Sequence, residues 1–330
     1  LFGGEGLVYF FDRRRFRKIR GGATTVKISA IIPTYRRPAL LEETVDSCLA
    51  QTRLPDEIVI GDDSPDDLTE RRVQERIIPH SPVPIRYFHH KSARNEAGNV
   101  DFLYAQAQGE LILHLHDDDP VYPNCIEDLA EPFAEHPEIA ASFGLQHYIG
   151  EDGALLPEDR QGVNKAYFRV AEREGLVDPL MAGAVSMFPN NGFLVNAEVA
   201  RRVGYADGGR AGLATDFYFG FRLGQQKRPF YFVHKVTAKV RQTKQSQSRT
   251  ELADNNFRCV KILLEELKPE QFTPEIEQSL SNRIRGAILV ASQNGNRDLA
   301  RRWYFSRYHR RYILTPGGVR RLVRLFWGRF

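Results

Sequence analysis

Cysteine is scarce in this 330-residue chain: Cys48, Cys125 and Cys259 stand far apart. That spacing offers neither a disulfide framework nor a paired metal-ligand motif. Three buried thiols in a reducing cytoplasm are expected instead. Long apolar runs are missing as well. No stretch of about 18 uninterrupted apolar residues occurs, so no membrane-spanning helix is expected. No secretory signal pattern is recognisable. Signatures of several enzyme classes are also lacking. There is no GxSxG, no GxxxxGKS/T, no GxGxxG and no HExxH, which argues against serine hydrolases, P-loop kinases, dinucleotide-dependent dehydrogenases and zinc peptidases. With no recognisable nucleic-acid module either, no nucleic-acid partner is expected.

Acidic residues are scarce at both ends. From residue 297 to 330 there are ten arginines and one acid, Asp298, a local balance of +9. Since the whole chain carries +4, the remainder sums to −5. A second basic run, Arg13-Arg14-Arg15-Phe16-Arg17-Lys18-Ile19-Arg20, lies near the start. Basic ends around a mildly acidic middle predict anionic partners at the ends. In the tail, Val319, Leu322, Val323 and Phe326 recur at helical spacing between Arg320, Arg321 and Arg324, and Trp303 and Trp327 are the only tryptophans. A basic amphipathic helix with Trp and Phe suits a membrane interface. Packing on the rest of the chain with solvated arginines is the alternative.

The middle of the chain alternates between two periods. Residues 26–35, 57–61, 85–89 and 110–115 are apolar runs of strand length. Between them lie helical patterns, the first opened by Pro38, the third over 95–108. This β-α-β-α-β-α-β order predicts a parallel sheet covered on both faces. Further strands are expected over 139–149, 191–195 and 230–240, helices at 124–136, 197–203 and 213–223, and an irregular stretch over 150–178. Beyond about 250 the pattern is helical: 252–268, 274–292, 297–312 and 317–328. The expected units are a basic extension (1–25), an α/β domain (26–250) and an arginine-rich helical region (251–330).

Polar clusters follow three of the strands. Asp117-Asp118-Asp119 end the fourth, and adjacent like charges gain nothing there without a partner. Hard cations such as Mg²⁺ take oxygen ligands and bridge carboxylates to substrate phosphates. Asp117 and Asp119 share a side if the segment is extended, whereas a turn breaks that rule; which two carboxylates hold the ion stays open. Asp62-Asp63 follow the second strand, where an Asx-turn and a nucleoside contact are equally good readings. Lys91 and Arg94 follow the third and are candidate diphosphate donors. In parallel sheets ligands bind outside the carboxyl ends of the strands. Pro33-Thr34-Tyr35, Asp62-Asp63 and the aspartate triplet all meet that condition.

Taken together, Ile31-Ile32-Pro33-Thr34-Tyr35-Arg36-Arg37, Asp62-Asp63-Ser64, Gly98-Asn99-Val100-Asp101-Phe102, Gly109-Glu110 and Leu115-His116-Asp117-Asp118-Asp119 resemble the family 2 glycosyltransferases of the GT-A fold, over about residues 26 to 245. The resemblance implies a Rossmann-like, mostly parallel sheet flanked by helices, here with a helical C-terminal extension. It implies a nucleotide-diphosphate sugar, with UDP as the prior, held by Pro33, Thr34, Tyr35, Arg36, Asp62, Asp63, Lys91, Arg94, Asn99, Asp117 and Asp118. It implies Mg²⁺ or Mn²⁺ on Asp117, Asp118 and Asp119, the counterpart of the DXD element. Asn191 and Gly192 fall in the family's segment before the acceptor site, and Asp216 matches its carboxylate base. An inverting single displacement onto a saccharide or lipid-linked acceptor follows, in the cytoplasm or peripherally at the inner membrane face.

One departure stands out. The family often places a histidine in the loop after the last strand, where it completes the metal site. Residues 241–248 read Arg241-Gln242-Thr243-Lys244-Gln245-Ser246-Gln247-Ser248. Either the ion lacks that ligand or Lys244 takes part of its electrostatic role. Two other readings compete: a sugar-nucleotidyltransferase, which would carry a glycine-rich loop where Pro33 to Arg37 stand, and a non-catalytic carbohydrate- or membrane-binding scaffold.

Overall fold

The structure, a computed structural model, describes residues 26–242 and 249–327. The basic extension over 1–25 and Lys244 with its neighbours lie outside the described residues.

β1 (Ile28–Thr34), β2 (Glu57–Asp62), β3 (Ile85–His89) and β4 (Leu111–His114) form a parallel set. Their side chains alternate between two cores. Ile28, Ala30, Ile32, Ile58 and Ile60 face one layer; Ile31 and Val59 face the other. Burial on both sides explains why these strands read as continuous apolar runs. The first layer is covered by α1 (Pro38–Leu49), the turn Val73–Ile77 that follows α2 (Leu68–Arg72), and α4 (Cys125–Glu135), the second by α3 (Asn95–Gln106). Pro38 opens α1 as expected, since its fixed φ suits the first helical turn. The helix after β2 is irregular: α2 runs into a π-helical turn at Val73–Ile77 and a 3₁₀ turn at Ile78–His80.

The sheet then grows in a mixed fashion. β5 (Ala141–Ile149) runs parallel to β8 (Phe230–Arg241), and β7 (Phe193–Asn196) enters between β4 and β5 antiparallel to both. The full order is β3-β2-β1-β4-β7-β5-β8-β6. The stretch expected to be irregular holds a short α5 (Val163–Ala166) and the edge strand β6 (Gly175–Val177). Arg169, buried, ties it down, donating to the Met187 and Ser186 carbonyls and to Gln146 and Asn164 side chains.

α6 (Pro179–Ala184), α7 (Ala197–Val203) and α8 (Thr215–Gly224) close the second layer. α6 and α8 touch backbone to backbone. A Cβ on Gly183 would stand 2.4 Å from the Gly220 carbonyl oxygen, and one on Gly224 would stand 2.3 Å from that of Pro179.

The helical tail comprises α9 (Arg249–Glu266), α10 (Pro274–Gln293), α11 (Arg297–Tyr304) and α12 (Pro316–Trp327). Cys259, Val260, Leu263, Ile276, Leu280 and Ile284 share one core with Phe217 and Phe221 of α8. The helix expected over 297–312 breaks after Tyr304. Just beyond the break, the buried His309 brings Nδ1 to the Tyr304 carbonyl at 3.0 Å and satisfies a group the helix end leaves open. α12 turns Leu325 inward, 2 % exposed, toward the core that holds Trp303 and Tyr304. Val319 stays 50 % exposed and Leu322 is half-buried, so the apolar stripe read from the sequence divides between two environments.

Candidate active site

The chain reverses its direction of growth between β1 and β4: β2 and β3 extend one side, β4 begins the other. Such a switch point leaves a crevice at the strands' carboxyl ends. A cavity of about 790 Å³ opens there, reached by Thr34, Asp63, Asn99, all three aspartates of the triplet and Asp216.

Asp117 and Asp118 form a turn, so the triplet does not keep the alternation of an extended strand. Each carboxylate has its own surroundings. Asp117 Oδ2 accepts from Thr34 Oγ1 at 2.7 Å and from the Tyr35 N–H at 3.4 Å, and Arg37 Nη1 reaches Oδ1 at 3.1 Å. The same Arg37 nitrogen lies 3.0 Å from Asp118 Oδ2. Asp119, 3 % exposed, accepts the Arg241 N–H at Oδ1 (2.7 Å) and turns Oδ2 toward His116 Nδ1, 3.5 Å away. Burial pushes the Asp117 and Asp119 carboxyls upward, opposed by Arg37 and Thr34 at the first and by His116 at the second.

Across the cavity, Asp216 sits in the first turn of α8 and accepts a hydrogen bond from the Tyr205 hydroxyl. His116 Nε2 lies 3.9 Å from Asp216 Oδ1, and Glu96, in the first turn of α3, completes this acidic side. Partial loss of water lifts the Glu96 carboxyl, and the Asp216 charge adds to it. Burial works against a charged His116, but the Asp119 contact and the charges of Asp216, Asp119 and Glu96 outweigh it and push the imidazole to about 10.

The residues named from sequence fall into two groups. Pro33, Thr34, Tyr35, Asp63, Asn99, the triplet and Asp216 line the cavity. Asp62 lies beneath it, fully buried, accepting from the Ser64 N–H (2.8 Å) and the Tyr87 hydroxyl (2.6 Å). Arg36 turns outward with φ +56° and its guanidinium over the Tyr35 ring. Arg94 gives its N–H to Asp63, while its guanidinium lies over Phe102, 4.6 Å from the ring centre. Lys91 is exposed in the adjoining bend. Asn191, 0 % exposed, clamps the aspartate turn: Oδ1 accepts the His116 N–H at 2.8 Å and Nδ2 donates to the Asp119 carbonyl at 3.4 Å. Gly192, at φ +71°, leaves room that a Cβ could not share with Ala238. Its neighbour Asn190 faces the cavity.

Sequence reading left out Glu96 and Tyr205, and passed over Arg37, Asn190 and Arg241 as parts of motifs. Glu96 carries a signal, a carboxylate in a helix's first turn. Tyr205 carries none, because only the fold brings it to Asp216.

The donor set fits a divalent cation. One ligand atom from each of His116, Asp118 and Asp119 lies within 4.8 Å of the others. His116 Nε2 is buried without a hydrogen-bond partner. Oxygen-rich acidic donors of this kind suit Mg²⁺ or Mn²⁺.

The Rossmann-like sheet with its carboxyl-edge crevice has the GT-A fold of glycosyltransferases, here followed by a helical C-terminal region. Residues 29–191, about half of the chain, match the family model described as Glycosyl transferase family 2, and the chain belongs to that family. Two solved structures share the fold. One is S. aureus TarS 1–349 in complex with UDP-GlcNAc (TM-score 0.56, 15 % identity, 92 % of this chain and 81 % of that one). The other is the mannosyltransferase PcManGT from Pyrobaculum calidifontis in complex with GDP-Man and Mn2+ (TM-score 0.56, 16 % identity, 92 % and 88 %). Among curated relatives, the GalNAc(5)-diNAcBac-PP-undecaprenol beta-1,3-glucosyltransferase of Campylobacter jejuni is 32 % identical over 127 residues, 38 % of this chain and 37 % of that protein. Galactofuranosyltransferase GlfT1 of Mycobacterium tuberculosis is 35 % identical over 99 residues, 29 % and 31 %. The chain thus spans about a third of these two relatives.

Proposed function

We propose that the chain is a glycosyltransferase that moves a hexosyl group from a nucleotide-diphosphate sugar to a hydroxyl of a saccharide or lipid-linked acceptor, inverting the anomeric centre in one displacement. The observation that carries this reading is the placement of the aspartate turn and Asp216 on one cavity at the switch point of the sheet. Thr34, Tyr35 and Asp63 flank the nucleoside end. Asp118 and Asp119, beside Asp117, are the residues that would hold Mg²⁺ or Mn²⁺. Such a cation, when bound, neutralises the charge of the departing diphosphate.

Asp216 takes the proton of the acceptor hydroxyl. The hydroxyl oxygen bonds to the anomeric carbon as the bond to the diphosphate oxygen breaks, and the nucleoside diphosphate leaves with that electron pair. Tyr205 holds Asp216 in place through its hydroxyl. Neighbours of this fold bind UDP-GlcNAc and GDP-Man, which supports a sugar nucleotide as donor, with UDP first.

A lipid-linked acceptor and a peripheral contact at the inner membrane face belong to the same reading. The Campylobacter relative's name specifies an undecaprenol-linked acceptor. Phe305, Leu314 and Val319 are exposed along a stretch that also carries Arg302, Arg310, Arg311 and Arg320, a composition that suits an anionic bilayer surface. No described helix is long and apolar enough to cross a membrane.

The test is transfer from a panel of UDP- and GDP-sugars, with Mn²⁺ or Mg²⁺, onto saccharides and polyprenyl-diphosphate lipids. NMR of the product reads the anomeric configuration. Retained configuration, or undiminished turnover in EDTA, overturns the reading.

A further inference from the structure

Beside the aspartate turn, the His116 side chain faces carboxylates on two sides. Its backbone N–H is fixed to Asn191, which in turn holds the Asp119 carbonyl. Its two ring nitrogens look in different directions, Nδ1 toward Asp119 Oδ2 (3.5 Å) and Nε2 toward Asp216 Oδ1 (3.9 Å). Both separations exceed ordinary hydrogen-bond lengths. The Nδ1 separation matches another arrangement. Two atoms each about 2.1 Å from one ion, at right angles or wider, stand roughly 3 to 4 Å apart.

One ligand atom from each of His116, Asp118 and Asp119 lies within 4.8 Å of the others, which points the same way. Asp119 is almost fully buried, and with Oδ1 committed to the Arg241 N–H its Oδ2 is left facing His116 Nδ1. His116 Nε2, the nitrogen turned away from Asp119, is buried without a hydrogen-bond partner. Meanwhile Arg241 to Ser248, after the last strand, contains no histidine. Its first residue brings an N–H to Asp119 and a guanidinium held by Glu43 and the Gly150 and Glu151 carbonyls. A fixed cation there is no metal ligand.

We propose that His116 is itself a ligand of the divalent cation, through Nδ1, alongside Asp118 and Asp119. This rests on the metal-dependent reading above. Binding the ion releases the Nδ1 proton, and the other nitrogen keeps its own and faces Asp216. Ligating imidazoles usually have a carboxylate on the second nitrogen, which fixes ring and tautomer. One imidazole thereby joins the cation site to the residue assigned as base. The chemical consequence is selectivity. A nitrogen donor disfavours Mg²⁺, which prefers oxygen and keeps its waters, relative to Mn²⁺ and Co²⁺.

The test uses the full chain loaded with Mn²⁺, alone and with UDP or GDP, and read by electron spin-echo modulation and by titration. We expect ¹⁴N modulation from a coordinated imidazole in the wild type. His116→Gln should abolish it and weaken Mn²⁺ binding by at least roughly tenfold, with an unchanged far-ultraviolet circular dichroism spectrum. Competition should show Mn²⁺ binding more tightly than Mg²⁺ in the wild type and a narrower gap in His116→Gln. Mn²⁺ bound in an Asp119-dependent way without ¹⁴N modulation overturns the assignment to His116 and leaves the cation site standing. Equal Mn²⁺ affinity in wild type and His116→Gln does the same. No Mn²⁺ binding under any of these conditions overturns both.

Discussion

Tyr205 donates its hydroxyl to Asp216, joining the loop after α7 to the first turn of α8. The pair sits where the base of the proposed displacement must stand. Base catalysis of this type is worth about 10²–10⁴ in rate. Asp216→Asn should therefore lose about that much turnover while nucleotide binding, measured by calorimetry, is kept. Tyr205→Phe removes one hydrogen bond to a charged group, so its turnover should fall less, by roughly ten- to a hundredfold. Near-normal turnover in Asp216→Asn would rule out its role as base.

Thr34 is the other small residue on which the site depends. Thr34→Val removes the 2.7 Å donor to Asp117 and leaves that buried carboxylate with Arg37 and a longer bond from the Tyr35 N–H. A hydrogen bond to a charged group is worth about 1.5–3 kcal/mol. Urea denaturation should show a loss of that size, and a midpoint equal to wild type would contradict it.

The packing of α6 on α8 sets the height of Asp216 above the sheet. Gly183→Ala would drive a methyl group to 2.4 Å from the Gly220 carbonyl oxygen. Overpacking of this kind costs about 1–3 kcal/mol. The variant should melt earlier and lose turnover together, since α8 must shift to make room. A stable variant with intact turnover would show that the helices have slack.

His309 supplies the pH dependence of the tail. Burial lowers its pKa, Arg321 and Arg285 lower it further, and the Tyr304 carbonyl pulls the other way. Its folded pKa lies below the unfolded value of about 6.5. Between the two, the unfolded chain binds the extra proton, so stability falls as pH drops below about 6.5, with a slope of up to about 1.4 kcal/mol per pH unit. Above that pH the group contributes no slope. Thermal melts from pH 6.5 to pH 5 should show a decline that is shallower in His309→Gln than in the wild type, since His114 and His90, also lowered by burial, contribute the same sign. An identical profile in the variant would place the acid sensitivity elsewhere.

Much of this was legible in the residues. β1, β2 and β4 are buried on both faces, so their apolar runs could not be taken for loops, and the carboxyl-edge rule then located the crevice. The direction of β7 was not legible, because alternation of side chains is the same whichever way a strand runs. Nor was the fate of the aspartates. A turn at Asp117 and Asp118 gives three adjacent identical side chains different partners, and only Thr34, Arg37, Arg241 and Asn191, distant in sequence, decide which is which. The break after Tyr304 was hidden because the amphipathic pattern continues across it.

β7 is the one strand of the central six that points backward. An inverted strand presents its beginning, not its end, at the rim where its neighbours finish. Most of the polypeptide that arrives there, residues 150–189, can therefore be lengthened or rewritten without touching β1 to β4, while Asn191 and Gly192 stay tied to the aspartate turn and to β4. Two halves of one crevice become separately adjustable: one fixed on the side of the proposed donor, the other free to vary on the side of the proposed acceptor.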